Sequence, residues 1–188
     1  MNDFDCYASL LLKWNRRINL ISAASADDLW ARHFADSAQI ARFSKKNGLW
    51  LDVGSGGGFP AIVVAILSKT TNSINFTLVE SDARKCAFLR TVARELQLNV
   101  TVLPERIENL APLCADIISA RALANLIDLL VICEKHLLPS GLAVFLKGQK
   151  VDAEIEAALE HWRFDCQKHQ SMTDANSSVL TIGAIARA

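Results

Sequence analysis

This 188-residue sequence has no long apolar run, no net charge and no C-x-x-C pair of cysteines. Each of these absences argues against one class of protein. Its apolar runs fall far short of the roughly 20 residues that a helix needs to span a bilayer. The start, Met1 to Asp5, is acidic and leads into no apolar block of the kind found in a secretory signal peptide. The sequence therefore predicts a globular cytoplasmic protein without a membrane segment.

The five cysteines stand singly and form no C-x-x-C pair, which predicts free thiols in a reducing compartment. Cys166-x-x-His169 is the only metal-like spacing, and a single pair does not define a metal site, so no metal is expected. The 20 basic residues equal the 20 acidic ones. This balance does not favour a nucleic-acid partner, but a local basic patch remains compatible with one. A monomer is the simplest expectation.

The most informative segment is Asp52–Pro60, which reads Asp-Val-Gly-Ser-Gly-Gly-Gly-Phe-Pro between two apolar stretches. A strand, a glycine turn and a helix in this order present backbone N–H groups and a helix N-terminus to a ligand. No Gly-Lys-Ser/Thr follows, which argues against a P-loop, and Phe59 occupies the last glycine position of the dinucleotide fingerprint. The acidic Asp52 suits a ligand with positive or hydroxyl groups. S-adenosylmethionine (SAM) carries a sulfonium, an ammonium and a ribose, and we expect Asp52, Gly54 and Gly56 to bind it.

A second acidic residue supports a nucleoside ligand. The segment Asn75–Val79 is typical of a strand, and Glu80 follows at its tip. An acid in this position, about 20 residues after the glycine turn, binds the ribose diol in doubly wound folds. Glu80 is therefore predicted to bind the cofactor, and the spacing of the glycines favours SAM over NAD.

The hydrophobic pattern predicts one domain, residues 1–188, with an N-terminal helical part (1–47) and a core of alternating strands and helices (48–188). Apolar residues at steps of three and four predict helices over 3–20 and 25–43. Trp14, on the apolar side of the first of these helices, is expected in the core. The later alternation predicts an α/β fold with a mainly parallel seven-stranded sheet and a C-terminal antiparallel hairpin. The predicted strands of this core are 49–53, 75–79, 99–103, 116–119, 142–147, 164–170 and 178–184, and the predicted helices are 60–68, 81–96 with Ser81 as N-cap, 125–138 and 152–162.

This order of elements, with the glycine turn after the first strand, resembles the class I SAM-dependent methyltransferases over residues 49–184. Enzymes of this class that act on exocyclic amines carry an Asn/Asp-Pro-Pro-aromatic turn after the fourth strand, and those that act on pyrimidine C5 need a cysteine nucleophile. The segment Asp116–Ala122 has neither feature. Both of these reactions are therefore disfavoured.

A closer resemblance covers almost the whole chain. Its motifs are Lys13-Trp14-Asn15, Ile18-Asn19-Leu20-Ile21-Ser22, Arg32-His33-x-x-Asp36-Ser37, Leu51–Pro60, Ser81 with Arg84-Lys85 and Phe88-Leu89-Arg90, Arg106-Ile107-Glu108, Ser119-Ala120-Arg121-Ala122 and Lys147-Gly148. In this order and spacing the chain resembles the bacterial ribosomal small subunit methyltransferase G family, also called glucose-inhibited division protein B.

The resemblance implies an enzyme that uses SAM to methylate N7 of a guanosine in the 530 loop of 16S rRNA, the guanosine usually numbered 527, with S-adenosylhomocysteine as product. The implied substrate is 16S rRNA or the 30S particle. The resemblance places Gly54 and Phe59 at the cofactor loop, Ile107 and Glu108 beside the adenine, and Arg121 near the reacting end. Guanine N7 has an in-plane lone pair and no proton to lose, so positioning takes the place of a general base.

Several assignments leave an alternative open. Arg121 is expected to orient the guanine or to contact the SAM carboxylate, and the alternative is a structural salt bridge. His33 and Ser37 face the substrate, or else His33 has a capping or packing role. Asn15 contacts RNA or makes a hydrogen bond at the end of its helix. The other candidate RNA-binding residues are basic ones that could instead be solvated surface: Lys13, Arg16, Arg17, Arg32 and Lys147, with Arg84 and Lys85 as further members of the same patch.

Two other functions fit the sequence. A small-molecule methyltransferase would have the same fold and cofactor loop and would not need the basic residues of the first helix. A non-catalytic ribosome-binding protein would bind RNA without affinity for SAM, and the intact glycine loop argues against it.

Overall fold

The computed structural model describes residues 2–71 and 73–188, and its N-terminal part is helical. Helix α1 (Asp3–Asn15) starts where the Asn2 side chain accepts a hydrogen bond from Asp5 N. It ends at Asn15, whose Oδ1 accepts hydrogen bonds from Leu20 N and Ile21 N at 2.9 and 3.1 Å. The helix predicted over residues 3–20 is therefore too long, because the Asn15 amide holds the following residues in a turn.

The single helix predicted over residues 25–43 is wrong. A short helix α2 (Ala23–Ala26) is followed by a π-helix (Trp30–Ala35), one α-helical turn α3 (Asp36–Ala38) and a 3₁₀ helix (Gln39–Phe43). The apolar periodicity does not reveal these changes of pitch. A π-helical turn inserts an extra residue, and such turns often occur at functional sites.

The rest of the chain alternates between strands and helices. The strands are β1 (Asn47–Val53), β2 (Ser73–Val79), β3 (Val100–Leu103), β4 (Ala115–Arg121), β5 (Leu137–Lys147), β6 (Trp162–Gln170) and β7 (Ser178–Arg187). The helices are α4 (Ala61–Ser68), α5 (Ala83–Glu95), a 3₁₀ turn (Ile107–Asn109), α6 (Leu126–His136) and α7 (Val151–Leu159). Helix α5 does not begin at Ser81 as predicted. Its N-cap is Asp82, whose Oδ1 accepts a hydrogen bond from Arg84 N at 2.8 Å.

The described strands form one sheet in the order β3-β2-β1-β4-β5-β7-β6. Strands β1 to β5 pair in parallel, and β7 runs antiparallel to both β5 and β6. The predicted fold class and terminal hairpin are thereby confirmed. The strand order reverses between β1 and β4, and the ends of these two strands form the crevice in which open α/β sheets bind ligands.

Two apolar layers cover the sheet. Along β1, Trp50 packs in the layer that contains α1, α4 and α5, whereas Leu51 and Val53 pack in the layer that contains α6 and α7. This alternation follows from the two-residue period of a strand. Trp14, predicted in the core, is partly buried against the first layer, where its ring lies 5.8 Å from that of Phe88. In the described part of the chain, no helix is both long and apolar enough to cross a membrane.

Candidate functional site

The glycine loop between β1 and α4 brings bare backbone to the switch point of the sheet. Gly54 N and Ser55 N donate to Val79 O at 2.9 and 3.2 Å, which fixes the loop against the end of β2. Gly54 has a φ of +67°, and a Cβ atom on it would lie 2.4 Å from Leu123 Cδ1. A side chain at residue 54 is therefore disfavoured both by the backbone and by its neighbour. Gly56 also has a positive φ, +52°, but a Cβ on it would meet nothing closer than 3.8 Å, so only the backbone disfavours a side chain there.

Glu80 holds this loop in place as well as facing a cavity. Its Oε2 accepts a hydrogen bond from Gly56 N at 2.9 Å, and its Oε1 accepts one from Asp82 N at 2.8 Å. The side chain is buried at the end of β2. The predicted position at the strand tip agrees with the structure, while the bond to the glycine loop could not be read from the sequence.

Two cavities flank the loop and share Gly54, Gly56 and the segment 122–124. The smaller one, about 580 Å³, is lined by Glu80, Ile107 and Glu108 together with apolar side chains of α6. The larger one, about 900 Å³, lies between the glycine loop, the N-terminal helical part and the β6–β7 loop, and its wall includes Phe59, His33 and Arg121. The candidate cofactor residues, except Asp52, thus line one cavity or the other.

Arg121, the last residue of β4, is held by the N-terminal part of the chain. Its Nη2 lies 2.7 Å from His33 Nδ1, and its Nη1 donates to Arg32 O at 3.1 Å and lies 3.6 Å from Asp36 Oδ2. The guanidinium carbon lies 5.0 Å from the centroid of the Phe59 ring, within the range of a cation–π contact. Arg121 therefore joins β4, the glycine loop and the π-helix at the wall of the larger cavity.

His33 is a neutral partner of Arg121. Burial, followed by the charges of Arg121 and Arg32, lowers the pKa of His33 to about 4. The imidazole lies against Phe59 with ring centroids 4.8 Å apart. Its Nε2 is buried and has no hydrogen-bond partner among the described residues.

Asp36 connects the same cluster to the terminal hairpin. Its Oδ1 accepts hydrogen bonds from Thr173 Oγ1 at 3.0 Å and from Gln39 Nε2 at 2.9 Å. Burial raises the pKa of Asp36, and the bonds from Thr173 and Arg121 oppose that rise. Asp36 and Thr173 were not among the residues predicted for the site. The Arg-His-x-x-Asp spacing places Asp36 one turn after His33 and was an available signal, whereas nothing in the sequence points to Thr173.

The structure does not place Asp52 where the sequence predicted it, at the surface of a ligand cavity. Asp52 is fully buried below the loop and lines neither cavity. Its Oδ1 accepts a hydrogen bond from Ser119 Oγ at 2.5 Å, and Ser119 Oγ in turn accepts one from Trp50 Nε1 at 2.8 Å. Burial raises the pKa of Asp52 to about 6, despite the opposing hydrogen bond from Ser119. Asp52 supports the strand ends that carry the site.

The structure does not place Ser37 in a cavity wall either, although the sequence predicted it at the substrate. Ser37 is fully buried, lines neither cavity, and its Oγ has no partner among the described residues. On the helical segment that carries both residues, His33 points to the cavity and Ser37 points into the protein.

The candidate RNA-binding residues fall into two groups. The side chains of Lys13, Arg16, Arg17 and Arg32 are exposed and form no ion pair with any acid in residues 2–71 and 73–188. Lys147 is different: its Nζ lies 2.6 Å from Glu154 Oε2 and donates to Ala124 O at 2.8 Å, with the side chain 8% exposed. Lys147 is thus a buried, ion-paired residue in the wall of the larger cavity, and a contact from it to RNA stays a prediction.

Asn15 ends helix α1, and its Oδ1 accepts two backbone hydrogen bonds. These are helix-end hydrogen bonds, the alternative to an RNA contact that the sequence left open. Its amide nitrogen makes none to another described residue, and an RNA contact from that atom stays a prediction. No group of three or more His, Cys, Asp or Glu side chains in the described ranges could hold a metal ion.

Comparison with known proteins gives a consistent set of relatives. A model of the family described as rRNA small subunit methyltransferase G matches residues 1–181. The chain is 46% identical over 182 residues to the ribosomal RNA small subunit methyltransferase G of Ruegeria sp. (strain TM1040), covering 96% of this chain and 89% of the relative. It is 47% identical over 184 residues to the protein of the same name from Paracoccus denitrificans (strain Pd 1222), covering 97% and 94%.

Solved structures that resemble the chain support the fold. A SAM-dependent methyltransferase from Aquifex aeolicus superimposes with a TM-score of 0.63 at 15% identity, covering 86% of this chain and 98% of that one. M. jannaschii TYW2 in complex with AdoMet superimposes with a TM-score of 0.61 at 14% identity, covering 92% and 78%. These identities are low, so the likeness concerns the fold, which is that of the class I SAM-dependent methyltransferases.

Proposed function

The chain belongs to the rRNA small subunit methyltransferase G family, and we propose that it methylates N7 of a guanosine in the 530 loop of 16S rRNA, the one usually numbered 527. The observation that carries the proposal is the position of Arg121. Its guanidinium is held at the wall of the larger cavity, beside the glycine loop that separates this cavity from the smaller one. A base that attacks through a lone pair and loses no proton has to be held in position but not deprotonated. A hydrogen-bond donor fixed beside the cofactor loop can hold it.

SAM is the cofactor, and the residues of the smaller cavity fit its adenosine half. The absence of side chains at Gly54 and Gly56 leaves room for close approach to the loop backbone. Glu80 uses one lone pair on each oxygen for the loop and for Asp82 N, and a carboxylate has about four lone-pair sites, so it can also accept from a ribose diol. Ile107 lies in the wall of the same cavity as an apolar surface for the adenine. When bound, SAM supplies an electrophilic methyl group.

The larger cavity suits a guanine. The Hoogsteen edge of guanine presents two acceptors, N7 and O6, whereas that of adenine presents N7 and an amino donor. Arg121 has five N–H donors and no acceptor. A hydrogen bond from Arg121 to O6 would leave the N7 lone pair free to receive the methyl group, and the same donor would face the amino group of an adenine. Arg121 thereby favours guanine over adenine.

Attack by N7 does not require a general base, and the properties of His33 agree with this. With a pKa of about 4 the imidazole is neutral at pH 7, and its Nδ1 already faces a guanidinium. Such a nitrogen is a poor proton acceptor for a substrate. The chain's contribution is to hold the acceptor in line, and well-oriented reactants gain about 7–11 kcal/mol over a bimolecular encounter.

The RNA would reach the site along the exposed cations of the N-terminal part. Lys13, Arg16 and Arg17 lie at the end of α1, in the same N-terminal part as Arg32 of the cavity wall. This arrangement supports 16S rRNA, alone or in a 30S particle, as the substrate. We propose in addition that the enzyme is a cytoplasmic monomer made of one domain.

The test is methylation in vitro of purified 30S particles and of naked 16S rRNA with labelled SAM, followed by borohydride and aniline cleavage, which cuts at N7-methylguanosine. We expect one cleavage site, at the guanosine numbered 527, and no label in RNA with adenosine at that position. Label at another base or another atom would contradict the proposal, as would turnover on a small metabolite without RNA.

A further inference from the structure

Among the residues that the structure describes, His33 makes one side-chain hydrogen bond, through Nδ1, and its Nε2 is buried without a partner. Nδ1 lies 2.7 Å from Arg121 Nη2, and the residue is 8% exposed. A guanidinium has donors only, so Nδ1 must carry the lone pair and the neutral ring must carry its proton on Nε2. The tautomer of His33 is therefore set by Arg121.

This arrangement has a cost that packing does not explain. A buried N–H without an acceptor destabilises the folded protein, because it has lost its bonds to water without replacing them. The ring lies against Phe59, and a phenylalanine at position 33 could make the same aromatic contact without that cost. The benefit of a histidine here is its bond to Arg121.

The bond to His33 completes a two-ended attachment of the guanidinium. Nη1 is held by Arg32 O and Asp36, and Nη2 is held by His33, while the face of the group lies over Phe59. The bond at Nη2 adds a second point of attachment to the contacts at Nη1 and to the Phe59 ring. With both ends held, the plane is fixed, and Nε and one hydrogen of Nη2 are left for a ligand.

We infer that His33 is a positioning residue that acts through Arg121: its unprotonated Nδ1 fixes the orientation in which Arg121 meets the guanine. The inference rests on the proposed function and deepens it. His33 itself does not touch the substrate, and it neither takes nor gives a proton in the reaction.

Two substitutions separate the acceptor from the ring. His33→Phe keeps an aromatic ring against Phe59 and removes the acceptor. His33→Asn places Oδ1 near the position of Nδ1 and restores it. His169→Phe is the matched control, because His169 also makes one side-chain bond, from Nε2 to Thr181 Oγ1 at 3.1 Å, but lines neither cavity.

The measurement is the single-turnover rate of 16S methylation at saturating SAM, with thermal melting of each variant. We expect His33→Phe to lower the rate on the order of 10- to 100-fold, since small misplacements of a reacting group have effects of this size. His33→Asn should recover most of the rate, and His169→Phe should match the parent. In an Arg121→Ala background, His33→Phe should cause no further loss, because residues that act as one unit are not additive.

A parent-like rate for His33→Phe, or an equal further loss without Arg121, would overturn the inference while leaving the proposed function intact. Failure of the parent to methylate 16S rRNA would instead count against the proposed function. A readout independent of activity is the ¹⁵N spectrum of the His33 ring in the parent protein. It should show unprotonated Nδ1 and protonated Nε2 between pH 6 and 8, and a proton on Nδ1 would overturn the inference.

Discussion

The Tyr7 hydroxyl of α1 donates a hydrogen bond to Gly57 O in the glycine loop, 50 residues further along the chain. Tyr7 is fully buried, and its ring lies 5.3 Å from that of Phe59 in the same loop. A Cβ on Gly57 would lie 3.2 Å from Leu20 O, which shows how closely the turn after α1 approaches the loop. The N-terminal helical part is thus a direct support of the cofactor site.

Tyr7→Phe should therefore affect both stability and cofactor binding. It leaves a buried carbonyl without its partner, which costs about 1–3 kcal/mol of unfolding free energy. SAM affinity, measured by calorimetry, should fall several-fold because the loop is less well held. Ser68→Ala is the control: it removes a buried bond from Ser68 Oγ to Val64 O, away from the loop. It should lower stability without changing SAM affinity, and equal SAM affinities for Tyr7→Phe and the parent would contradict this account.

Glu80→Gln should weaken SAM binding although the side chain keeps its size. Both Glu80 oxygens accept backbone N–H groups, and the amide nitrogen of glutamine would face one of those donors. The neutral amide would also lose the charge-assisted bond that Glu80 is proposed to accept from the ribose diol. Loss of such a bond corresponds to about 1.5–3 kcal/mol, or at least about tenfold in SAM affinity. Calorimetric titration with SAM gives the answer. The exposed Glu95→Gln serves as control, and unchanged binding by Glu80→Gln would remove Glu80 from the cofactor site.

Asp52→Asn should make the protein more stable at pH 8. The pKa of Asp52 is raised to about 6 from an ordinary 3.8, so above pH 6 the folded protein carries a buried carboxylate at a cost that the unfolded chain does not bear. This difference corresponds to about 3 kcal/mol and disappears as the pH falls from 6 towards 3.8, where the folded carboxyl is protonated. In urea unfolding, the unfolding free energy of Asp52→Asn should exceed that of the parent at pH 8, and this difference should shrink as the pH falls over the same range.

The control for Asp52→Asn is Asp116→Asn, which should change the stability at pH 8 in the opposite direction. A backbone hydrogen bond from Leu49 lowers the pKa of Asp116, so its charged form stabilises the fold at pH 8 and loses this effect as the pH falls below the ordinary value. Two results would show that the buried Asp52 carboxylate does not destabilise the fold. One is an Asp52→Asn variant less stable than the parent at pH 8, and the other is a stability gain that is the same at pH 8 and pH 4.5.

Replacing Lys13, Arg16 and Arg17 together by glutamine should weaken RNA binding and reduce its salt dependence. Each phosphate contact contributes roughly 0.7 to 0.9 to the slope of log affinity against log salt, so three contacts give a change of about 2 to 3. Filter binding of 16S rRNA over a series of salt concentrations measures this slope, and SAM affinity should not change. The matched control replaces Lys69, Arg94 and Arg187, which are already paired with acids. Equal slopes for the two triple variants would mean that the α1 cations are only solvated surface.

The parts of the site that are close together in sequence were predictable. The glycine spacing and Glu80 at the strand tip are local patterns, and parallel strands bring their carboxyl ends to one edge of the sheet. The contacts that complete the site are long-range: Thr173 bonds to Asp36 across 137 residues, and Tyr7 to Gly57 across 50. No periodicity encodes such pairs.

Burial explains why three predicted site residues are not exposed to a ligand in the way that their motifs suggested. A motif places Asp52, Ser37 and Lys147 near the site but does not say on which side of the backbone each side chain lies. The register of β1 and β4 directs Asp52 towards Ser119, and the start of α7 brings Glu154 to Lys147. The role of Arg121 and the single-domain organisation stay proposals.

The proposed reaction can be tested in cells by mapping N7-methylguanosine in 16S rRNA. The three strains to compare carry the gene, lack it, or lack it and carry the Arg121→Ala form. We predict that one N7-methylguanosine, at the position numbered 527, disappears on deletion, returns with the parent gene and does not return with the variant. An unchanged modification at that position after deletion would contradict the account.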